Sequence, residues 1–220
     1  MGSLRRFDLN KIIDKHNISY LFETGTWKGD GIAYANKFPF KKIFSTEIMP
    51  SIAEAAKKRF SNNQRVEIME GNSIDILEKK LPEIYGNCLF WLDAHFPGAE
   101  EKIKDYNEFE EEDVKLPLKK EIELIKSLRK NYNDLILVDD LRIYEDGPYQ
   151  SGNTPENIYP PSIRNIDFVY KEFEETHNIK RSYNNEGYLL IIPKTSSANT
   201  KRGIKYYLNS LRYMHRKFIY

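Results

Sequence analysis

Cysteine is nearly missing: Cys88 is the single one in 220 residues, so no internal disulfide can form. With only four histidines beside it, a cysteine–histidine zinc cluster is excluded as well. Long apolar runs are also missing. The longest, Cys88–Leu92 and Tyr188–Ile192, are five residues, too short to span a membrane. No apolar signal-peptide core opens the chain, which sets the expectation of a cytoplasmic protein. Neither sign of charge is in excess. Thirty-four Lys and Arg against 33 Asp and Glu leave +1, without the global basic signature of a nucleic-acid binder, so nucleic acid is not the expected partner. The Gly-x-Gly-x-x-Gly fingerprint of a dinucleotide site is absent too.

What is present is an ordinary soluble balance, 40% hydrophobic and 30% charged, with length for one domain and a substantial core. The charges are unevenly placed. Glu100 to Asp113 holds eight acids against Lys102 and Lys104, and reads as a surface loop or lid. After Pro193 there are no acids and seven Lys or Arg. The chain therefore divides into a domain over 1–193 and a linker with a basic helix over 194–220. That helix, with Ile204, Tyr207, Leu208 and Leu211 on one stripe, packs on the body or on a second subunit in a homodimer.

The stretch Tyr20–Gly31 reads as a strand, a glycine-bearing turn and a helix start. Its spacing is Glu23-x-Gly25-x-x-x-Gly29. A side chain at Gly25 would block close approach of a ligand, and Gly29 relaxes the turn into the helix. The helix N-terminus offers free N–H groups, while the acid inside the turn disfavours a pyrophosphate and favours a ligand carrying positive charge. Lys42 to Glu47 is a second strand. Glu47, 22 residues after Gly25, stands where a strand-end carboxylate accepts from ribose hydroxyls. Arg65–Glu70 is a third strand, ending in Gly71-Asn72-Ser73, with Asn72 as turn residue and Ser73 as helix N-cap.

Other helices are expected at Asp8–Asn17, Ser51–Phe60, Leu116–Asn131 (inner stripe Leu118, Ile122, Ile125, Leu128) and Ser162–His177. Asn87–Leu92 is an apolar central strand leading into Asp93-Ala94-His95. Leu135–Val138 is a fifth, leading into Asp139-Asp140. Adjacent carboxylates there need a partner, either Arg142 or a metal ion. The Gly- and Pro-rich segment from Tyr144 to Pro161 is long enough to cover a site, with Trp27, Tyr144 and Tyr149 as candidate lining. Ile179–Asn184 and Tyr188–Ile192 close the chain as a β-hairpin.

The acidic-x-Gly-x-x-x-Gly turn, the strand-end Glu47 and the closing hairpin, in this order over about residues 18–193, resemble the class I S-adenosylmethionine-dependent methyltransferases. The resemblance implies an α/β, Rossmann-like, mostly parallel seven-stranded sheet with a C-terminal antiparallel hairpin and helices on both faces. It implies that Glu23, Gly25, Thr26 and Gly29 hold the methionine end of the cofactor, Glu47 the ribose, and Asn72 and Ser73 the adenine side. Leu92-Asp93-Ala94-His95-Phe96 with Val138-Asp139-Asp140 is similar to O-methyltransferases of polysaccharide-decorating pathways. It implies a small polar acceptor, His95 as general base beside Asp93, and Mg²⁺ held by Asp93, Asp139 and Asp140. A nicotinamide-dependent oxidoreductase and a non-catalytic cofactor-binding protein are the alternatives.

Overall fold

The computed structural model describes residues 3–95, 116–155, 159 and 164–194. Strands and helices alternate along it: α1 (Leu9–His16), β1 (Ile18–Thr24), α2 (Asp30–Ala35), β2 (Lys42–Glu47), α3 (Pro50–Arg59), β3 (Val66–Glu70), α4 (Ser73–Lys80), β4 (Asn87–Leu92), α5 (Leu118–Leu128), β5 (Leu135–Asp139), α6 (Asp167–Phe173), β6 (His177–Ser182) and β7 (Tyr188–Pro193). The strands form one sheet in the order β3-β2-β1-β4-β5-β7-β6. The first five are parallel where they pair, and β7 runs antiparallel to both its neighbours. This is the α/β, Rossmann-like sheet with a closing antiparallel hairpin that the sequence led us to expect.

Two-residue alternation splits the strands' side chains between two cores. Phe22, Phe44, Phe90 and Ile136 meet α4, α5 and α6 on one face. Leu21, Ile43, Leu89 and Leu137 meet α1 and α2 on the other. Both faces are covered, which is why the central strands are apolar throughout. The chain builds outward from β1 to β2 and β3, then returns to β4 on the other side of β1. That reversal lies at the carboxyl ends of β1 and β4, where open α/β sheets take their ligands.

Several boundaries differ from the sequence reading. The N-cap of α4 is Asn72, whose Oδ1 accepts from the Ile74 N–H at 2.9 Å, and Ser73 is the first helical residue. Helix α5 stops at Leu128, which is 37% exposed. Its buried stripe is Leu118, Glu121, Ile122 and Ile125, spaced i, i+3, i+4, i+7, so an acid occupies the place given to an apolar residue. Helix α6 begins at Asp167, and His177 belongs to β6. It is drawn there by hydrogen-bond contact of Nε2 with the Asp134 carbonyl at 3.0 Å. Tyr144 and Tyr149 are core residues. The acidic segment 100–113 and the basic tail from 195 onward lie outside the described residues.

Candidate functional site

An acid stands at or beside the carboxyl end of each of four neighbouring strands. In sheet order they are Glu47 at the end of β2, Glu23 one residue before the end of β1, Asp93 just past β4, and Asp139 at the end of β5. Glu23 follows Leu21 by two residues, Glu47 follows Ile43 by four, Asp93 follows Trp91 by two and Asp139 follows Leu137 by two. All four therefore extend the α1/α2 face of the sheet. Their charges are felt along the row. Burial pushes the Glu23 carboxyl up to about 8, the charge of Glu47 adds to this, and a hydrogen bond from Ser45 pulls it back. Burial also raises Asp93 well above the usual carboxylate range, reinforced by the charges of Asp139, Glu23 and Asp140. Its side chain keeps 31% exposure, so solvent or a ligand still reaches it. Asp139 is raised by burial and by Asp140 and Glu186, against the Asp140 N–H that it accepts at 2.9 Å.

The turn after β1 is shaped around this row. Gly25 has φ +84°, and a Cβ there would stand 2.7 Å from the Asp93 backbone oxygen. The glycine is thus required first by the approach of two chain segments, before any ligand enters. Gly25 and Thr26 both donate their N–H to the Thr46 carbonyl at 3.0 Å, pinning the turn to β2. Gly29, at φ +75°, leaves room for the Phe60 ring. Its role is to seat the turn, and no ligand contact need be invoked for it. Thr26 Oγ1 lies 2.7 Å from Ser45 Oγ, which donates to Glu23 Oε2 at 2.7 Å. Gly31 was missed in the sequence. A Cβ there would fall 2.1 Å from Glu23 Oε1, so helix α2 crosses directly over the buried carboxylate. The third glycine of the stretch, two residues past Gly29, was the available signal.

Glu47 uses both oxygens to hold backbone: Oε2 accepts from Trp27 N at 2.8 Å and Oε1 from Met49 N at 3.0 Å. Each carboxylate oxygen has a second lone pair, so the group can still accept from two hydroxyls. Past β4, His95 Nδ1 lies 3.6 Å from Asp93 Oδ1 and its Nε2 lies 3.7 Å from Asp140 Oδ2. Asp140 is in the left-handed region, φ +54°, and accepts from Arg142 Nε at 2.9 Å. Arg142 is therefore a partner of the acidic pair, as one of the two sequence alternatives held. The structure brings together His95, Asp93 and Asp140 at one end of the row, and Glu23, Thr26 and Glu47 at the other. Asn72 and Ser73 stand beyond β2, at the end of β3.

The carboxylates suit Mg²⁺ in donor type. Among the described residues, however, no group of three or more His, Cys, Asp and Glu is placed to hold a metal ion. Asp139 Oδ1 accepts the Asp140 N–H and Asp140 Oδ1 accepts from Arg142 Nε. The same row fits a cationic cofactor: crowded, raised carboxyls are relieved by positive charge, and Glu47 keeps two acceptors for vicinal hydroxyls.

No protein-family model matches the chain, and no curated protein matches it. Solved structures do. A methyltransferase of Podospora anserina bound to S-adenosylhomocysteine has TM-score 0.56 at 16% identity, covering 89% of this chain and 80% of that one. An O-methyltransferase of Bacillus cereus, also with S-adenosylhomocysteine, has TM-score 0.56 at 14% identity, over 88% of this chain and 82% of that one. The O-methyltransferase TomG of Streptomyces achromogenes, involved in tomaymycin synthesis and bound to S-adenosylmethionine, has TM-score 0.55 at 14% identity, over 89% and 82%. The fold of this chain is that of the S-adenosylmethionine-dependent methyltransferases. Among the described residues no helix is long and apolar enough to cross a membrane.

Proposed function

We propose that this protein is an S-adenosylmethionine-dependent O-methyltransferase acting on a small polar acceptor: a sugar, a nucleotide-linked compound or a polysaccharide precursor. The observation that carries the reading is the row Glu47, Glu23, Asp93, Asp139 across the switch point of the sheet. Four acids on one face repel a pyrophosphate, which argues against a nicotinamide dinucleotide. They attract a ligand with a sulfonium and an ammonium. The neighbours' bound S-adenosylhomocysteine and S-adenosylmethionine support the same reading.

In this reading Glu23, Gly25, Thr26 and Gly29 form the turn that receives the methionine end, and Glu47 accepts from the ribose hydroxyls. Asn72 and Ser73 border the adenine side. The bound cofactor supplies a methyl carbon on sulfur, activated for in-line displacement. The chain's task is to hold the acceptor hydroxyl in line and take its proton. In this reading His95 does the latter. A ring nitrogen of His95 would take the proton of the acceptor hydroxyl as that displacement proceeds. The imidazolium so formed stands between Asp93 and Asp140, where carboxylate charge favours it.

A methyl-transfer assay with S-adenosylmethionine and a panel of hydroxylated acceptors tests the reading. Once an acceptor is found, His95→Ala is expected to lower kcat by about 10²- to 10⁴-fold while leaving cofactor binding in place. Turnover undiminished in that variant would remove His95 from the chemistry.

A further inference from the structure

Ser45 follows Ile43 by two residues in β2 and so stands on the same α1/α2 face of the sheet. It pairs with Glu23 in the parallel register of β1 and β2. An apolar residue there would extend the core that Ile43 begins, whereas a buried hydroxyl is costly unless it is bonded. Ser45 is bonded twice. Its Oγ donates to Glu23 Oε2 at 2.7 Å and lies 2.7 Å from Thr26 Oγ1. A serine hydroxyl carries one hydrogen, and this one is spent on Glu23. Thr26 is therefore the donor in the second contact. The three groups form a directed chain, from Thr26 to Ser45 to Glu23, and all are buried, at 3%, 0% and 2% exposure.

The backbone of the turn does not need this chain of hydroxyls. Gly25 and Thr26 both donate their N–H to the Thr46 carbonyl, which pins the turn to β2 whether or not residue 45 carries a hydroxyl. What the hydroxyl adds is the direction of two side chains. It fixes Glu23 Oε2, which leaves Oε1 beside Gly31 at the start of α2. It also turns the hydrogen of Thr26 inward, so the outer lone pairs of that oxygen are left as acceptors. Glu47 is fixed separately, by Trp27 N and Met49 N, and Ser45 takes no part in that. We propose that Ser45 is a positioning residue for the amino-acid end of the cofactor, holding the Glu23 carboxylate and the Thr26 hydroxyl in the arrangement that receives an ammonium-bearing group and leaving the nucleoside end untouched. The inference rests on the cofactor reading above.

Two ligands separate the two ends. S-adenosylhomocysteine carries the amino-acid end; methylthioadenosine lacks it and keeps the nucleoside and the thioether. Wild type, Ser45→Ala, Thr26→Val and the double variant are titrated calorimetrically with S-adenosylhomocysteine, each with a melting curve. Methylthioadenosine is read by its displacement of S-adenosylhomocysteine, so that weak binding is measured too. Ser45→Ala is expected to weaken S-adenosylhomocysteine by about fivefold and methylthioadenosine by less than about twofold. Thr26→Val acts through Ser45, so it is expected to add nothing measurable in the Ser45→Ala background. Unaltered S-adenosylhomocysteine affinity in Ser45→Ala overturns the inference. So does an equal loss for both ligands, which marks a general loosening, or a fully additive loss in the double variant. All three leave the cofactor reading intact. If Ser45→Ala does not fold, Thr26→Val decides: a loss confined to S-adenosylhomocysteine supports the inference, and an equal loss or none overturns it. Wild-type protein that binds no S-adenosylhomocysteine overturns both.

Discussion

Gly25 shows how tightly the strand ends are drawn together. Its φ of +84° already lies in the left-handed region, and an added methyl group would meet the Asp93 carbonyl at 2.7 Å. Gly25→Ala is therefore expected to part the ends of β1 and β4, destabilising the protein by about 1–3 kcal/mol and weakening S-adenosylhomocysteine binding further than stability alone accounts for. Melting curves and calorimetry on the same preparation check both. Glu23, Gly25, Glu47, Asp93 and His95 were all legible in the sequence, because each stands at a strand end beside a turn. Gly31, Ser45 and Glu121 were not. Gly31 and Ser45 matter through contact with Glu23 across α2 and β2. Glu121 is buried only once α5 packs on the sheet. An acid at i+3 in an otherwise apolar stripe was its signal, and the stripe was drawn through Leu128 in its place.

At the scale of elements, one buried ion pair ties the amino-terminal edge of the sheet. Arg129, just past α5, and Asp134, just before β5, are each 3% exposed. Arg129 Nε donates to Asp134 Oδ2 and Nη2 to Oδ1, both at 2.9 Å. Arg129 also donates to the carbonyls of Ile84 and Gly86, and Asp134 Oδ1 accepts the Cys88 N–H at 2.7 Å. The pair thus sets where β4 and β5 begin, at the edge opposite the site. Arg129→Ala leaves a buried carboxylate without its partner and is expected to cost about 3–5 kcal/mol, read as a lowered denaturant midpoint. A loss below about 1 kcal/mol would show that solvent reaches this pair and that it does not organise the edge. The strands themselves were readable because apolar runs bounded by turn residues are short and distinct. The start of α6 and the boundary at His177 were not, since a histidine held by a distant carbonyl leaves no local periodicity.

For the whole molecule, the balance of shifted groups predicts how stability follows pH. Burial raises Glu23, Glu121, Asp93 and Asp139, so the folded state binds more protons than the unfolded chain as pH rises above the ordinary carboxylate range. Their contribution to stability falls from about pH 4.5 up through about 8. Burial lowers His16 to about 4, with the charges of Lys15 and His177 adding, and lowers His177 as well. Those two act in the opposite sense: stability is lost as pH falls from about 6.5 toward 4. Four carboxyls outweigh two imidazoles. The ligand-free protein is expected to melt at a lower temperature at about pH 8 than at about pH 6, and S-adenosylmethionine is expected to reduce that fall by supplying positive charge to the row. A melting temperature that rises over this interval without ligand would contradict the crowding of acids at the strand ends.

The order of strands is a property of the whole molecule, and it is what turns four separately noticed acids into one row. In the proposed reading this row and the Gly25 turn receive S-adenosylmethionine. Calorimetric titration of the folded protein with S-adenosylhomocysteine, beside its Glu47→Gln variant, tests it most directly. Saturable binding at one site per chain is expected, weakened by about tenfold or more when the Glu47 carboxylate can no longer accept from two hydroxyls. No heat of binding from demonstrably folded wild-type protein, or binding unaltered by Glu47→Gln, would contradict it.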